Sequence, residues 1–122
     1  MGSHPINLTI RFLLELTSLI VMGLWGWKQS DGWIRFVLVL GIPIIAAAIW
    51  GTFAVLNDPS RSGAAPIPVP GILRLAIELV FFAIATWALY DLGYSKLSLA
   101  LGMIVTIHYI ISYDRIIWLI NQ

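Results

Sequence analysis

The chain has 122 residues, of which 60% are apolar and 11% charged, with a formal net charge of +1, no cysteine and a mean hydropathy of +0.93. That length holds one domain, and the charged fraction is far below the ~25% with which a soluble domain covers its exterior. The near-zero charge excludes the clustered Lys and Arg that neutralise nucleic-acid phosphates, and the absence of cysteine excludes disulfides, thiolate catalysis and cysteine metal sites.

Residues 1–4, Met1-Gly2-Ser3-His4, read as a cloning scar, and Ile6 in place of Ser or Thr speaks against myristoylation of Gly2. Four stretches then have the ~20 apolar residues that a helix needs to cross a ~30 Å hydrocarbon core. The first covers residues 8–27 and ends at the polar turn Lys28-Gln29-Ser30-Asp31-Gly32. Glu15 interrupts it and no small-x-small cleavage site follows, so it reads as a retained span rather than a signal peptide. The second covers 33–56, with Pro43 inside and with Gly41 and Ala46-Ala47-Ala48 small enough for another helix to approach. A long loop, 57–70, ends in three alternating prolines that favour an extended, polyproline-like approach to the third span, 71–90. The turn Asp91 to Ser95 leads into the fourth, 96–120. The expected fold is an all-α integral membrane four-helix bundle made of two helical hairpins, one single transmembrane domain over 1–122.

The hairpins resemble each other. Arg11-Phe12-Leu13-Leu14-Glu15-Leu16 and Arg74-Leu75-Ala76-Ile77-Glu78-Leu79 share R-x-x-x-E-L at an offset of 63, which also aligns Trp50 with Tyr113 and Trp27 with Tyr90. A tandem repeat of this kind relates two units by an axis along the membrane normal. Four spans put both termini on one side, together with Arg11, Arg61, Arg74 and Arg115, against Lys28, Arg35 and Lys96 opposite. The positive-inside rule then predicts cytoplasmic termini.

Ionisable groups in a bilayer core cost ~2.5–3.5 kcal/mol each on insertion scales, so they pair or line a cavity. Arg11 and Glu15, Arg74 and Glu78, and Asp114 and Arg115 all fall in one leaflet and sum to zero. Arg before Glu is the weaker order within a helix, which favours exchange between helices, Arg11 with Glu78 and Arg74 with Glu15. A balanced set of this kind reads as a network that docks the hairpins; the alternative is a polar cavity for a headgroup, ion or proton. His108, Ser112 and Arg115 form a polar stripe at i, i+4 and i+7. A lone buried histidine is expected to bond a neighbour such as Tyr109, a serine or a carbonyl, with proton relay as the sharper alternative. Trp50, at the depth of Tyr113 and Asp114, is expected to pack over small Gly51 or to cover an arginine as a cation–π lid.

Arg11 to Leu16, Gly23-Leu24-Trp25-Gly26, Trp50-Gly51 after an Ala-rich helix, and the second R-x-x-x-E-L resemble the YrdB-like family of small bacterial membrane proteins. The resemblance spans nearly the whole chain. It implies a four-helix fold and a bacterial inner membrane. That family is classed as of unknown function, so it implies no activity.

With no catalytic motif and no cofactor or metal expected, the leading expectation is a non-enzymatic protein of the lipid bilayer: a partner subunit, a homo-oligomer, or a binder of a lipid or other small ligand. The alternative is a proton-coupled small oligomeric transporter or channel with Glu15 in its first helix. A lipid enzyme using His108 and Asp114 is the weakest, because six residues set them about 240° apart around a helix.

Overall fold

The computed structural model describes residues 5–56, 58 and 65–122. Residues 1–4 and half of the long loop, Arg61 included, lie outside the described residues. Five helices follow in order: α1 Pro5–Trp27, α2 Ile34–Thr52, α3 Gly71–Asp91, α4 Ser95–Ile111 and α5 Tyr113–Ile120. Two short strands, β1 Phe53–Ala54 and β2 Ile67–Pro68, pair in parallel between α2 and α3.

One spacing organises the core. Buried positions fall at Arg11, Leu14, Ser18, Val21 and Met22 on α1, at Gly71, Arg74, Glu78, Phe81 and Phe82 on α3, and at Ser98, Leu101, Val105, His108 and Tyr109 on α4. Each set steps through the same 3.6-residue period, so three helices present one stripe apiece to a common interior. The stripes are polar at the terminal end and apolar below it, where Phe81, Phe82, Ala85, Leu101 and Val105 meet. Hydroxyls within the helices bond their own backbone, Ser18 Oγ to the Leu14 carbonyl and Thr86 Oγ1 to the Phe82 carbonyl, both at 2.8 Å, which lets polar residues sit in apolar helices.

α2 differs from the others. It buries none of its residues and packs chiefly along α1. The close approach is not at Gly41, whose missing Cβ faces open space, but at Gly26, where a Cβ would lie 2.7 Å from the Leu38 carbonyl oxygen. A second such place is Gly71, where a Cβ would fall 1.6 Å from the Leu119 carbonyl oxygen, so the end of α5 rests on the start of α3. α3 ends in a Schellman motif. Gly93, at φ 93°, lets the Tyr94 N–H reach the Leu89 carbonyl and its own N–H reach that of Tyr90, both at 3.0 Å.

Two expected spans are corrected. The second ends as a helix at Thr52 rather than at residue 56: Phe53 turns extended and Ala54 joins the parallel ladder, its carbonyl accepting from Val69 at 2.9 Å. The helix stops because Arg74 Nη1 takes the Trp50 and Phe53 carbonyls, at 2.5 and 2.9 Å. The fourth is not one rod over 96–120 but α4 and α5, bent by 69° at Ser112. The fold is all-helical as expected, with one two-residue parallel ladder beside the helices. Of the prolines before α3, Pro68 lies in β2 and Pro70 is extended as expected, with φ −59° and ψ 148°, while Pro66 sits at a bend.

Candidate functional site

The charged ends of the inward stripes meet around one carboxylate. Glu78, on α3, is fully buried. Its Oε1 lies 2.8 Å from Arg11 Nη2 on α1 and accepts the Tyr109 hydroxyl of α4 at 2.8 Å. Its Oε2 accepts Arg74 Nε at 2.8 Å and Arg115 Nη2 of α5 at 2.6 Å. A carboxylate offers about four lone-pair sites; hydrogen bonds from α3, α4 and α5 take three, and Arg11 of α1 is ion-paired beside them. Arg74 extends the network to the end of α2 through the Trp50 and Phe53 carbonyls. Each helix is thereby tied, directly or through one arginine, to Glu78.

A second carboxylate completes the set. Asp58, 1% exposed, receives both terminal nitrogens of Arg115, Nη1 at 2.6 Å and Nη2 at 2.9 Å. This is the two-pronged guanidinium–carboxylate geometry that fixes orientation as well as charge. The expected cluster is corrected here, because the sequence placed Asp114 beside Arg115 and left Asp58 in the loop. Asp114 is exposed, as is Tyr113. Consecutive residues on a helix point about 100° apart, so once Arg115 faces inward Asp114 faces out. The His108–Ser112–Arg115 stripe already carried that signal.

The remaining predicted residues are unequal. Glu15 pairs with Arg11 only at 3.5 Å and is 24% exposed, so the two R-x-x-x-E-L motifs sit in different surroundings. Of the expected exchange, Arg11 reaches Glu78, while Arg74 bonds Glu78 within its own helix, so both arginines converge on one carboxylate. Trp50 packs on Phe81 and Phe82, at ring distances of 4.6 and 5.6 Å, with the guanidinium carbons of Arg74 and Arg11 4.5 and 5.3 Å from its ring. Packing and cation–π contact are therefore combined in one side chain. Ser112 is fully buried and accepts Asn7 Nδ2 at 2.7 Å; Asn7, one turn before Arg11 on the same stripe, was missed in the sequence. His108 is 3% exposed and meets Tyr109 edge-on at 5.4 Å. The expected hydrogen bond to a neighbour is corrected too, since neither ring nitrogen has a partner among the described residues.

Beside this network, separated by the Trp50 ring, lies an apolar groove of about 320 Å³. Met22 of α1, Ile45, Ile49 and Trp50 of α2, and Ile77 and Phe81 of α3 line it. It exists because α2 follows α1 and leaves α3 largely uncovered on that side.

Residues 9–106 match the family described as protein of unknown function DUF2568. The chain is 45% identical over 116 residues to the uncharacterized protein YrdB of Bacillus subtilis (strain 168), covering 95% of this chain and 94% of that protein. No solved structure matches.

Proposed function

This chain belongs to the DUF2568 family, whose function is unknown, and we propose that it is a four-span bacterial inner-membrane protein that seats a lipid acyl chain against a rigid, ion-paired scaffold. α1, α2 and α3 are long and apolar enough to cross a membrane, and α4 with α5 makes a fourth, broken span. At 1.5 Å per residue, helices of 23, 19 and 21 residues reach about 34, 28 and 31 Å, against a ~30 Å hydrocarbon core. Insertion is supported most strongly by α2, which has no polar side chain between Arg35 and Thr52 and buries none of its residues within the protein. Only an apolar solvent removes the cost of that surface. The charge network then lies in the leaflet of the termini, where its ions are paired as a low-dielectric medium requires.

The topology has a direct test in a chain without cysteine. Single cysteines at Gln29 and at Gln122 are expected to label from opposite faces of the bacterial membrane, with Gln122 reached only after the cell is permeabilised to the cytoplasm. Labelling of both from one face would remove the four-span arrangement.

The lipid reading rests on the groove. Its volume falls in the ~300–1,000 Å³ range of ligand sites, its walls are apolar, and it opens sideways between two helices that would both face acyl chains. Trp50 gives it a firm floor, held by a tilted ring contact with Phe81 and by Arg74 through its carbonyl. The binder is non-enzymatic in this reading: the charged groups lie behind Trp50 and hold the wall. Filling the groove with Ala46→Trp, on the α2 wall, is expected to lower phospholipid retained in native mass spectrometry by about tenfold, a ~1.4 kcal/mol loss. Thermal stability in detergent should stay close to wild type. Unchanged lipid retention in a folded Ala46→Trp protein would sink the proposal.

A further inference from the structure

His108 is 3% exposed, yet neither of its ring nitrogens has a hydrogen-bond partner among the described residues, and Arg11 Nη1, Arg11 Nη2 (only ion-paired with Glu78) and Arg115 Nε share that condition. The three belong to one region. His108, Ser112 and Arg115 occupy the inward stripe at the α4–α5 bend, Asn7 and Arg11 that of α1, and the Asn7–Ser112 bond at 2.7 Å stitches the stripes together. His108 is also within electrostatic range of Arg11, Arg115 and Glu78.

The unmet capacity is mostly of one kind. A guanidinium only donates, and an imidazole offers one donor and one acceptor at most when neutral. Water can serve the imidazole's acceptor nitrogen, but the unpartnered guanidinium nitrogens only donate, so a second water hydrogen would find no acceptor among these groups. An anion accepts and adds no donor. The charges agree: among the described residues the buried ions are Arg11, Arg74 and Arg115 with Asp58 and Glu78, three positives against two negatives. Glu15 supplies the balance from the edge, 24% exposed and 3.5 Å from Arg11, looser than the ~2.7–2.9 Å of a charge-assisted bond.

We infer that His108, Arg11 and Arg115 form a binding site for a phosphate-class oxyanion at the junction of α1 with the α4–α5 bend, with Glu15 as the internal competitor for Arg11. The site is independent of the acyl groove and of the function proposed for it. A phosphate can arrive free or as a lipid headgroup, and the two sources are separable. In a phosphate-free maltoside detergent, inorganic phosphate at fixed ionic strength is expected to raise Tm along a saturating curve, as a ligand of the folded state does. Glu15→Gln should lower the half-saturating concentration by roughly tenfold, and His108→Phe should abolish the response while its basal Tm stays at or above wild type, since an apolar ring replaces an unpartnered imidazole. A His108-dependent rise with phosphatidic acid alone identifies the headgroup as the source. The inference is overturned if neither form of phosphate raises Tm, if His108→Phe responds as wild type does, or if Glu15→Gln weakens the response.

Discussion

Glu78→Ala is expected to be the most destabilising single substitution in this protein, costing at least about 3–5 kcal/mol, the range for breaking a buried ion pair from one side. The reason is stoichiometric. One fully buried carboxylate partners Arg11, Arg74, Arg115 and Tyr109, so its removal takes a charged partner from three guanidinium groups at 5% exposure or less. Glu78→Gln keeps the shape and loses the charge, and should fall almost as far. Glu15→Gln provides the contrast. A half-buried carboxylate holding one arginine at 3.5 Å should contribute no more than ~1 kcal/mol. Because both glutamates serve Arg11, the double variant should be non-additive, Glu15 mattering more once Glu78 is neutral. Thermal denaturation of the four variants and wild type in one detergent measures this. If Glu78→Gln melted with or above wild type, stability would be sacrificed at the cluster for a working site, and the scaffold role would be lost.

Asp58→Ala is the second large effect, again about 3–5 kcal/mol, because it removes both prongs from buried Arg115. The consequence should spread along the chain. Arg115 anchors α5, and α5 rests through Leu119 on Gly71 at the start of α3, next to the parallel ladder of Phe53 with Ile67. Loss of the anchor should open the buried Ala54 and Val55, just after α2, to proteolysis as well as lower Tm. Asp114→Ala is the matched control. Its carboxylate is exposed beside the same arginine, and its removal should change Tm by less than the equivalent of ~1 kcal/mol. Equal losses for the two would mean that Arg115 faces its neighbour rather than Asp58.

The contrast between Asp58 and Asp114 marks where one-dimensional reasoning stops. Charge counting puts either aspartate opposite Arg115 with the same zero sum. Helical phase excludes Asp114, but phase alone does not find Asp58, because a residue in a loop has no period to read. Its position follows from where α2 ends, and α2 ends early because Arg74, two dozen residues away, captures its last carbonyls. The bend at Ser112 escaped for a related reason. No proline or glycine marks it, and it accompanies the burial of Ser112 against Asn7 and the inward turn of Arg115.

The features carried by local chemistry were legible in order along the chain. Runs of apolar residues specify helices of spanning length, Gly93 and the polar residues between runs specify turns, and ionisable residues within apolar helices must converge because their desolvation leaves no alternative. The family resemblance drawn from short motifs is likewise a property of residue order, and the 45% identity to a family relative agrees with it. What depends on three dimensions is the inequality of the parts. Two matching R-x-x-x-E-L motifs acquire different duties, Glu78 enclosed by four helices and Glu15 left at the edge. That asymmetry arises because α2 lies along α1 while α5 folds over the start of α3, so one motif is roofed and the other is not. Burial is a property of neighbours, and residues with identical local sequence take their chemistry from whichever elements pack above them.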